Sequence, residues 1–387
     1  MKSNGFVLAL AMLFIAVVTL SVARGAYADV GSMYGVGSSS VARAGQAVAT
    51  PSDDAAVVHN VAALASTTTS VRLGFTGAVH ALRLARQCQA GEACLAARAP
   101  SATRALTGGW AGQVHERVGL GVTFSTPASE LVRITAPDPK RPHAPMLEGT
   151  ADRFSLVAGA GVAVLPWLEV GIGLQVHARI ASHVMLDLDP IHQTLDRTDV
   201  EIHLGPRIGA TAGLRARGPG GTLWALSWRQ AASVSYEIPA RIGVDSVAAV
   251  DLRLAQLAHG TPQRVRFAAA ITRATWTVEV GADWQRWSTR RGLGPDLSSN
   301  VGGPLVDGVG LGRVVDVNAP AAQWAPALED TVSLAASGEW QARQELSLRA
   351  GWRYRPTPFP LASATAALVD SDAHVVAAGL SLQVGGW

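Results

Sequence analysis

Hydrophobic and polar residues alternate along most of this chain. Between residues 274 and 288, Trp276, Val278, Val280, Ala282 and Trp284 fall on one side, and Thr277, Glu279, Gly281, Asp283 and Gln285 on the other. A β-strand points successive side chains to opposite faces, so this stretch is predicted to be a strand with one apolar and one polar face. The pattern recurs from about Thr67 onward. Val71, Leu73 and Phe75 carry it, then Leu106, Trp110 and Val114, then Val118, Leu120, Val122 and Phe124. Leu168, Val170, Ile172 and Leu174 follow, and later Trp224, Leu226 and Trp228, then Leu346, Leu348, Ala350 and Trp352. About twelve such strands can be counted. Their polar faces carry Glu, Asp, Arg and His, and burying so many charges in a dry core would be costly. A wet or plugged lumen removes that cost. The predicted fold is therefore all-β: a transmembrane antiparallel β-barrel with lipid against the apolar faces.

The connections support this reading. Short ones fall near Arg117, Pro166, Gly218, Ala274 and Ala342, and long ones at 84–103, 127–150, 187–197, 238–262, 289–327 and 356–373. Short periplasmic turns alternating with long extracellular loops are the outer-membrane rule. Trp167, Trp224, Trp276 and Trp340 lie beside short turns and are expected to form the periplasmic aromatic girdle. One long connection is unusual. Residues 246–258 are apolar, and they read either as an amphipathic helix or as an extension of the neighbouring strand.

Composition narrows the class further. The 387 residues are 48% hydrophobic but only 16% charged, with 40 glycines. No apolar run after the N-terminus is long enough for a transmembrane helix, which leaves strands to do any crossing. The net charge of +3 is small and the 32 basic residues are scattered, so no nucleic-acid partner is expected. Residues 1–28 read as a secretory signal peptide: Lys2, an apolar core from Phe6 to Leu20, and Ala26-Tyr27-Ala28 as the cleavage signal. Past an export signal, Cys88 and Cys94 are a candidate disulfide, with free thiols as the alternative. Two thiolates without nearby His do not make a zinc set, and no metal or cofactor is expected. Ser, His and Asp occur without a local signature that groups them, so an enzyme is not expected.

Residues 29–66 differ from the rest. They are small, polar and rich in glycine, with a short helix predicted over Ala55–Ala65, started by Ser52 or Asp53 as N-cap. They read either as a flexible leader or as a plug, with the barrel over 67–387. Among inward-facing residues, Glu279, Asp283, Arg349 and Arg353 are candidate lumen polar groups. The arginines could attract a carboxylate or pair with lumen acids.

Four stretches carry a family resemblance. They are the glycine-rich start with Gly45, Asp53, Asp54 and Asn60; Leu168-Glu-Val-Gly-Ile-Gly-Leu; Asp283-Trp-Gln-Arg-Trp-Ser288; and Leu348 to Pro360 followed by Val369 to His374. In these the chain resembles the outer-membrane long-chain fatty acid and hydrocarbon transporters, the FadL/TodX/OmpP1 family. The resemblance implies a monomeric barrel of fourteen strands in the bacterial outer membrane, plugged by an N-terminal hatch. It also implies passive uptake of a hydrophobic ligand, captured at extracellular loops and released sideways into the bilayer lipid at a kinked third strand. Residues 29–66 become the hatch, with Gly45, Asp53, Asp54 and Asn60 as hatch candidates. Gly119 and Gly121 become candidates for the lateral opening, the alternative being plain packing against the hatch. The chain departs from the family in two places. Asn60-Val61-Ala62 stands where the family often has Asn-Pro-Ala, and the family usually carries another hairpin after the strand at 374–384. The expectation is a barrel closed with about twelve strands, or a shortened relative. A general diffusion porin and a structural barrel without transport are the competing readings.

Overall fold

The computed structural model describes residues 36–80, 83–85, 95–97, 101–127, 154–189, 194–244, 248–289, 295–302, 317–319, 327–359 and 370–383. The signal-peptide stretch and the Cys88/Cys94 pair lie outside the described residues. In chain order the strands begin with β1 (Ser70–His80), β2 (Arg83–Ala85), β3 (Leu95–Ala97), β4 (Ser101–His115), β5 (Val118–Pro127) and β6 (Ser155–Leu165). They continue with β7 (Leu168–Asp189), β8 (Thr194–Arg217), β9 (Thr222–Arg229), β10 (Ala232–Val244), β11 (Ala248–Thr261) and β12 (Gln263–Thr272). The last are β13 (Trp276–Arg286), β14 (Pro295–Gly302), β15 (Val317–Ala319), β16 (Thr331–Gln341), β17 (Leu346–Arg355) and β18 (Ala373–Leu382).

Twelve of these form the wall, in the order β1-β4-β5-β6-β7-β8-β9-β12-β13-β16-β17-β18. Every neighbouring pair is antiparallel, as expected when each strand returns across the same membrane. Tight turns join β4 to β5, β6 to β7, β8 to β9, β12 to β13 and β16 to β17, all at one end of the wall. The strand ends that lead into the long connections lie at the other end. Among the described residues, β1 pairs only with β4 and β18 only with β17.

The alternation works inside out relative to a water-soluble fold. Val71, Leu73, Phe75, Ile172, Leu174 and Leu380 are exposed, while Glu169, Gln175, Arg266, Glu279, Asp283 and Arg353 are buried. Facing lipid, the exposed apolar band is solvated rather than stranded. At the girdle end, Trp276 stands opposite Trp340 across β13 and β16, and Trp167 and Trp224 are exposed beside their turns.

The long connections are not all solvated loops. β10 and β11 fill most of 238–262, and β14 and β15 lie within 289–327. β10 pairs with β11 and, in parallel, with the outer part of β7 (Val184–Leu188). β11 pairs with β14 and β14 with β15. The sheet thus continues beyond the wall at the long-loop end. Of residues 246–258, those from Ala248 onward lie in strand β11: Val250, Leu252 and Leu254 recur at every second position with Asp251 and Arg253 between them, a strand period rather than a helical one.

Candidate functional site

The described part of the N-terminal segment lies against the inward faces of the wall strands. It holds helix α1 (Ser38–Ala42), helix α2 (Ala55–His59) and a 3₁₀ helix over Val61–Ser66. These elements are short because the sequence is rich in Gly, Ser and Ala, and because wall contacts rather than helix propensity hold them. Of the predicted caps, Asp53 accepts the Ala55 amide at 3.0 Å, but Asp54 occupies the N-cap position of α2. Asn60 caps the 3₁₀ helix, its Oδ1 accepting the Ala62 amide at 3.2 Å. The predicted single helix over Ala55–Ala65 is split there, since Asn60 is extended, with φ −159°.

Seen from the wall, Glu279 is the most heavily used side chain. Its Oε1 accepts Gln46 Nε2 at 2.9 Å, Val48 N at 2.6 Å and Ala49 N at 3.1 Å. Its Oε2 accepts Thr50 N at 3.0 Å and Thr50 Oγ1 at 2.5 Å. Arg43, itself buried, donates to Thr50 Oγ1 and O and lies 4.0 Å from the same carboxylate. A carboxylate only 1% exposed is tolerable because five donors and a guanidinium replace its water. Gly351 is where Arg43's backbone presses on β17, and the Ser337 hydroxyl donates to Gln46 O.

The second half of the segment has its own anchors. Arg72 Nε and Nη2 grip the Asp54 carboxylate at 2.6 and 2.7 Å, and the Thr123 hydroxyl donates to it at 2.7 Å. Asn60 Nδ2 donates to Leu214 O, Gln113 Nε2 to Ala65 O, and Arg229 to Val58 O. The 3₁₀ helix sits on inward glycines of β5 to β8. A methyl group at Gly119 would fall on the Leu64 carbonyl oxygen, and one at Gly213 on Asn60 Oδ1. One at Gly121 would meet Val57 and Leu64 side chains at 2.6 and 2.8 Å. β5 is hydrogen-bonded to β4 and β6 past both Gly119 and Gly121, with a bulge in β4 at Gln113–His115.

The remaining predicted lumen groups are also engaged. Arg264 Nε donates to both Asp283 oxygens at 2.7 Å, and Gln285 Nε2 reaches Asp283 Oδ2 at 3.3 Å. Gln285 Oε1 in turn accepts the indole N–H of Trp287, which is buried rather than lipid-facing. The Asp283-Trp-Gln-Arg-Trp stretch is thus a hydrogen-bonded unit at the long-loop end of β13. Arg349 pairs with Glu339 at 2.8 Å and donates to Ser381, and Arg353 Nη2 lies 3.0 Å from where a Gly45 methyl would stand. Gly45 itself has φ +72°, a left-handed conformation that glycine adopts without the strain a Cβ brings. Outside the wall, Asp372 accepts the Tyr354 hydroxyl and the Thr357 amide, and these bonds hold its carboxyl below the usual range.

Single-strand reading missed Arg72, Arg215, Arg229 and Arg266 as anchors. Their signal was available as arginines in the inward phase of a strand, but only the folded register shows what each one meets. Among the described residues no group of His, Cys, Asp and Glu is placed to hold a metal ion.

Comparison with known proteins places this architecture. The model of a family described as outer membrane protein transport protein (OMPP1/FadL/TodX) matches residues 221–385. No curated protein matches the chain. Among solved structures, a Pseudomonas aeruginosa FadL homologue is similar at 14% identity and a TM-score of 0.58, over 91% of this chain and 87% of that one. The CymD monoaromatic hydrocarbon channel is similar at 15% identity and 0.53, over 93% and 91%. The P. putida toluene transporter TodX is similar at 12% and 0.50, over 84% of each. The family model covers the C-terminal part of the chain, and over most of its length the chain shares the β-barrel fold of these FadL- and TodX-type proteins.

Proposed function

We propose that this protein carries hydrophobic small molecules, long-chain fatty acids or hydrocarbons, passively across the outer membrane. The observation that carries the proposal is the segment anchored across the lumen. Gln46 to Thr50 are held from β13, and Asp54 to Ala65 from β1, β4, β5 and β8. A wall filled in this way is suited to selective passage rather than to free flow of water and sugars. Capture at the long-loop end is supported by the sheet that β10, β11, β14 and β15 build there.

In this reading residues 29–66 are the hatch, the barrel acts as a monomer, and the signal peptide is removed after Ala28. Leu64 covers Gly119 and Gly121 of β5 in this conformation, which supports their packing against the hatch over a lateral opening there. The inner-wall arginines pair with lumen acids, Arg264 with Asp283 and Arg349 with Glu339, so a direct comparison of ligands decides between an acid headgroup and a plain hydrocarbon. Purified protein in liposomes is expected to admit labelled oleate or toluene while giving no osmotic swelling with small sugars. Rapid sugar-driven swelling would replace this reading with a diffusion porin. Exclusion of oleate, toluene and sugars alike would leave a structural barrel.

A further inference from the structure

The plug segment is built as two lobes whose anchors stand on different wall strands, apart from β9, which meets both. The first lobe, residues 36–50, is held by Glu279 of β13 and Ser337 of β16, and it packs on Gly351 of β17 and Gly379 of β18. Its Val48 and Ala49 form an apolar cluster with Ala225, Ala268 and Ala270 of β9 and β12. The second lobe, residues 54–67, is held by β1, β4, β5, β8 and β9 through Arg72, Gln113, Thr123, Leu214 and Arg229. Its apolar cluster, with Val57, Val61 and Leu64 against Ala111 and Val157, shares no residue with the first.

Among the described residues no hydrogen bond joins the lobes directly. Their polar links run through two wall arginines. Arg266 Nη1 donates to His59 Nδ1 at 3.0 Å in the second lobe, and its Nη2 donates to Gly45 O at 2.8 Å in the first. Arg215 donates through Nη1 to Ala49 O at 3.5 Å in the first lobe and through Nη2 to Ser66 Oγ in the second, with its Nε held by Glu169 at 2.5 Å. The linker between the lobes is the turn at 51–53. There Ser52 is exposed and Asp53 takes a positive φ of 52°, a conformation that side chains rarely adopt.

We infer that the plug opens by parting between its two lobes, hinged at residues 51–53, and that Arg215 and Arg266 are the pins that hold the seam shut. Each lobe keeps its carboxylate anchor on the wall and pivots on it. The physical reason is a difference in anchoring. Either lobe can leave the wall only by abandoning a buried carboxylate, Glu279 or Asp54, which is expensive. Parting the lobes costs the contacts of two arginines that remain attached to the wall and part of the Val48–Ala49 packing on β9 and β12, and it leaves both carboxylates in place. The seam runs over the β9–β12 side, where Arg266 and Arg215 stand, and this is the path that a ligand crossing the plug would take.

The inference rests on the transport reading for its purpose, but its test needs no ligand. In planar bilayers with potassium chloride as the probe, Arg266→Met and Arg215→Met are expected to raise resting conductance roughly tenfold each, because each removes charge-assisted hydrogen bonds across the seam. Arg273→Ala, in the turn before β13, is expected to leave it unchanged. Spin labels in a background with Cys88→Ser and Cys94→Ser distinguish parting from expulsion. In the double variant, the Ser38→Cys to Thr68→Cys distance should broaden, while Ser38→Cys to Arg286→Cys stays as in the parent. Unchanged conductance in variants of native heat-modifiable mobility would overturn the inference, as would a broadened Ser38-to-Arg286 distance, which means that the first lobe leaves the wall. Should the double variant not fold, Arg266→Lys serves instead: one ammonium cannot span both lobes, and an intermediate conductance is expected. A pinned, parting plug that excludes oleate and toluene would leave the device standing and remove the transport reading.

Discussion

At the scale of the residue, Glu279 decides most about how the N-terminal segment is held. One carboxylate organises Gln46, Val48, Ala49 and Thr50, and every one of those bonds needs an acceptor. Replacing it with glutamine puts an amide NH2 against backbone N–H groups, so donors would face donors. Glu279→Gln is expected to destabilise the first lobe by about 2–4 kcal/mol, the range for breaking a buried charged hydrogen-bond set. Faster proteolysis of residues 36–50 in the folded barrel, with the wall intact by heat-modifiable mobility, is the measurement. Glu279 was legible in the sequence as an inward polar residue, because Val278 and Val280 on either side fix its phase. Its partners were not. Period-two alternation says which face a side chain takes but not what a segment some 230 residues away brings to it. The same holds for Asp54, which the family resemblance offers as a hatch candidate but whose partner Arg72 only the fold reveals.

At the scale of the element, the 3₁₀ helix and its glycine bed form a matched pair. Gly119, Gly161, Gly171 and Gly213 lie on four wall strands, and each sits directly beneath backbone or Asn60 atoms of the segment. Gly119→Ala is expected to push Leu64 off β5 and to cost about 1–3 kcal/mol, the usual price of overpacking. Hydrogen exchange at the Leu64–Thr67 turn reads it out, and unaltered protection there would contradict the packing described. The strands themselves were nearly all legible, since lipid on one side and polar groups on the other impose a clean period of two. The outer sheet was not. β10, β11, β14 and β15 lie beyond the wall, where their positions in long connections argued for loops. Asn60 likewise interrupts what looked like one helix, because its side chain caps the following turn.

At the scale of the whole molecule, the five tight turns described above lie at one end and the strand ends that lead into the long connections at the other. By the outer-membrane rule the long end faces the outside. A short epitope inserted between residues 360 and 369 is therefore expected to be labelled on intact cells, and one at Gly220 only after permeabilisation. Labelling of Gly220 alone would invert the assignment. The span of the Glu279 contacts has a consequence for how such a protein can be made. The residues that Glu279 holds emerge first during synthesis, yet their binding site exists only once β13 is in place, 231 positions later for Val48. Contacts so distant in sequence form late, because a long loop must close before they repay it. The N-terminal segment must therefore wait, unpaired, through most of the wall's assembly. Whatever escorts the chain through the periplasm has to keep these small, glycine-rich residues available until the wall strands that receive them have formed.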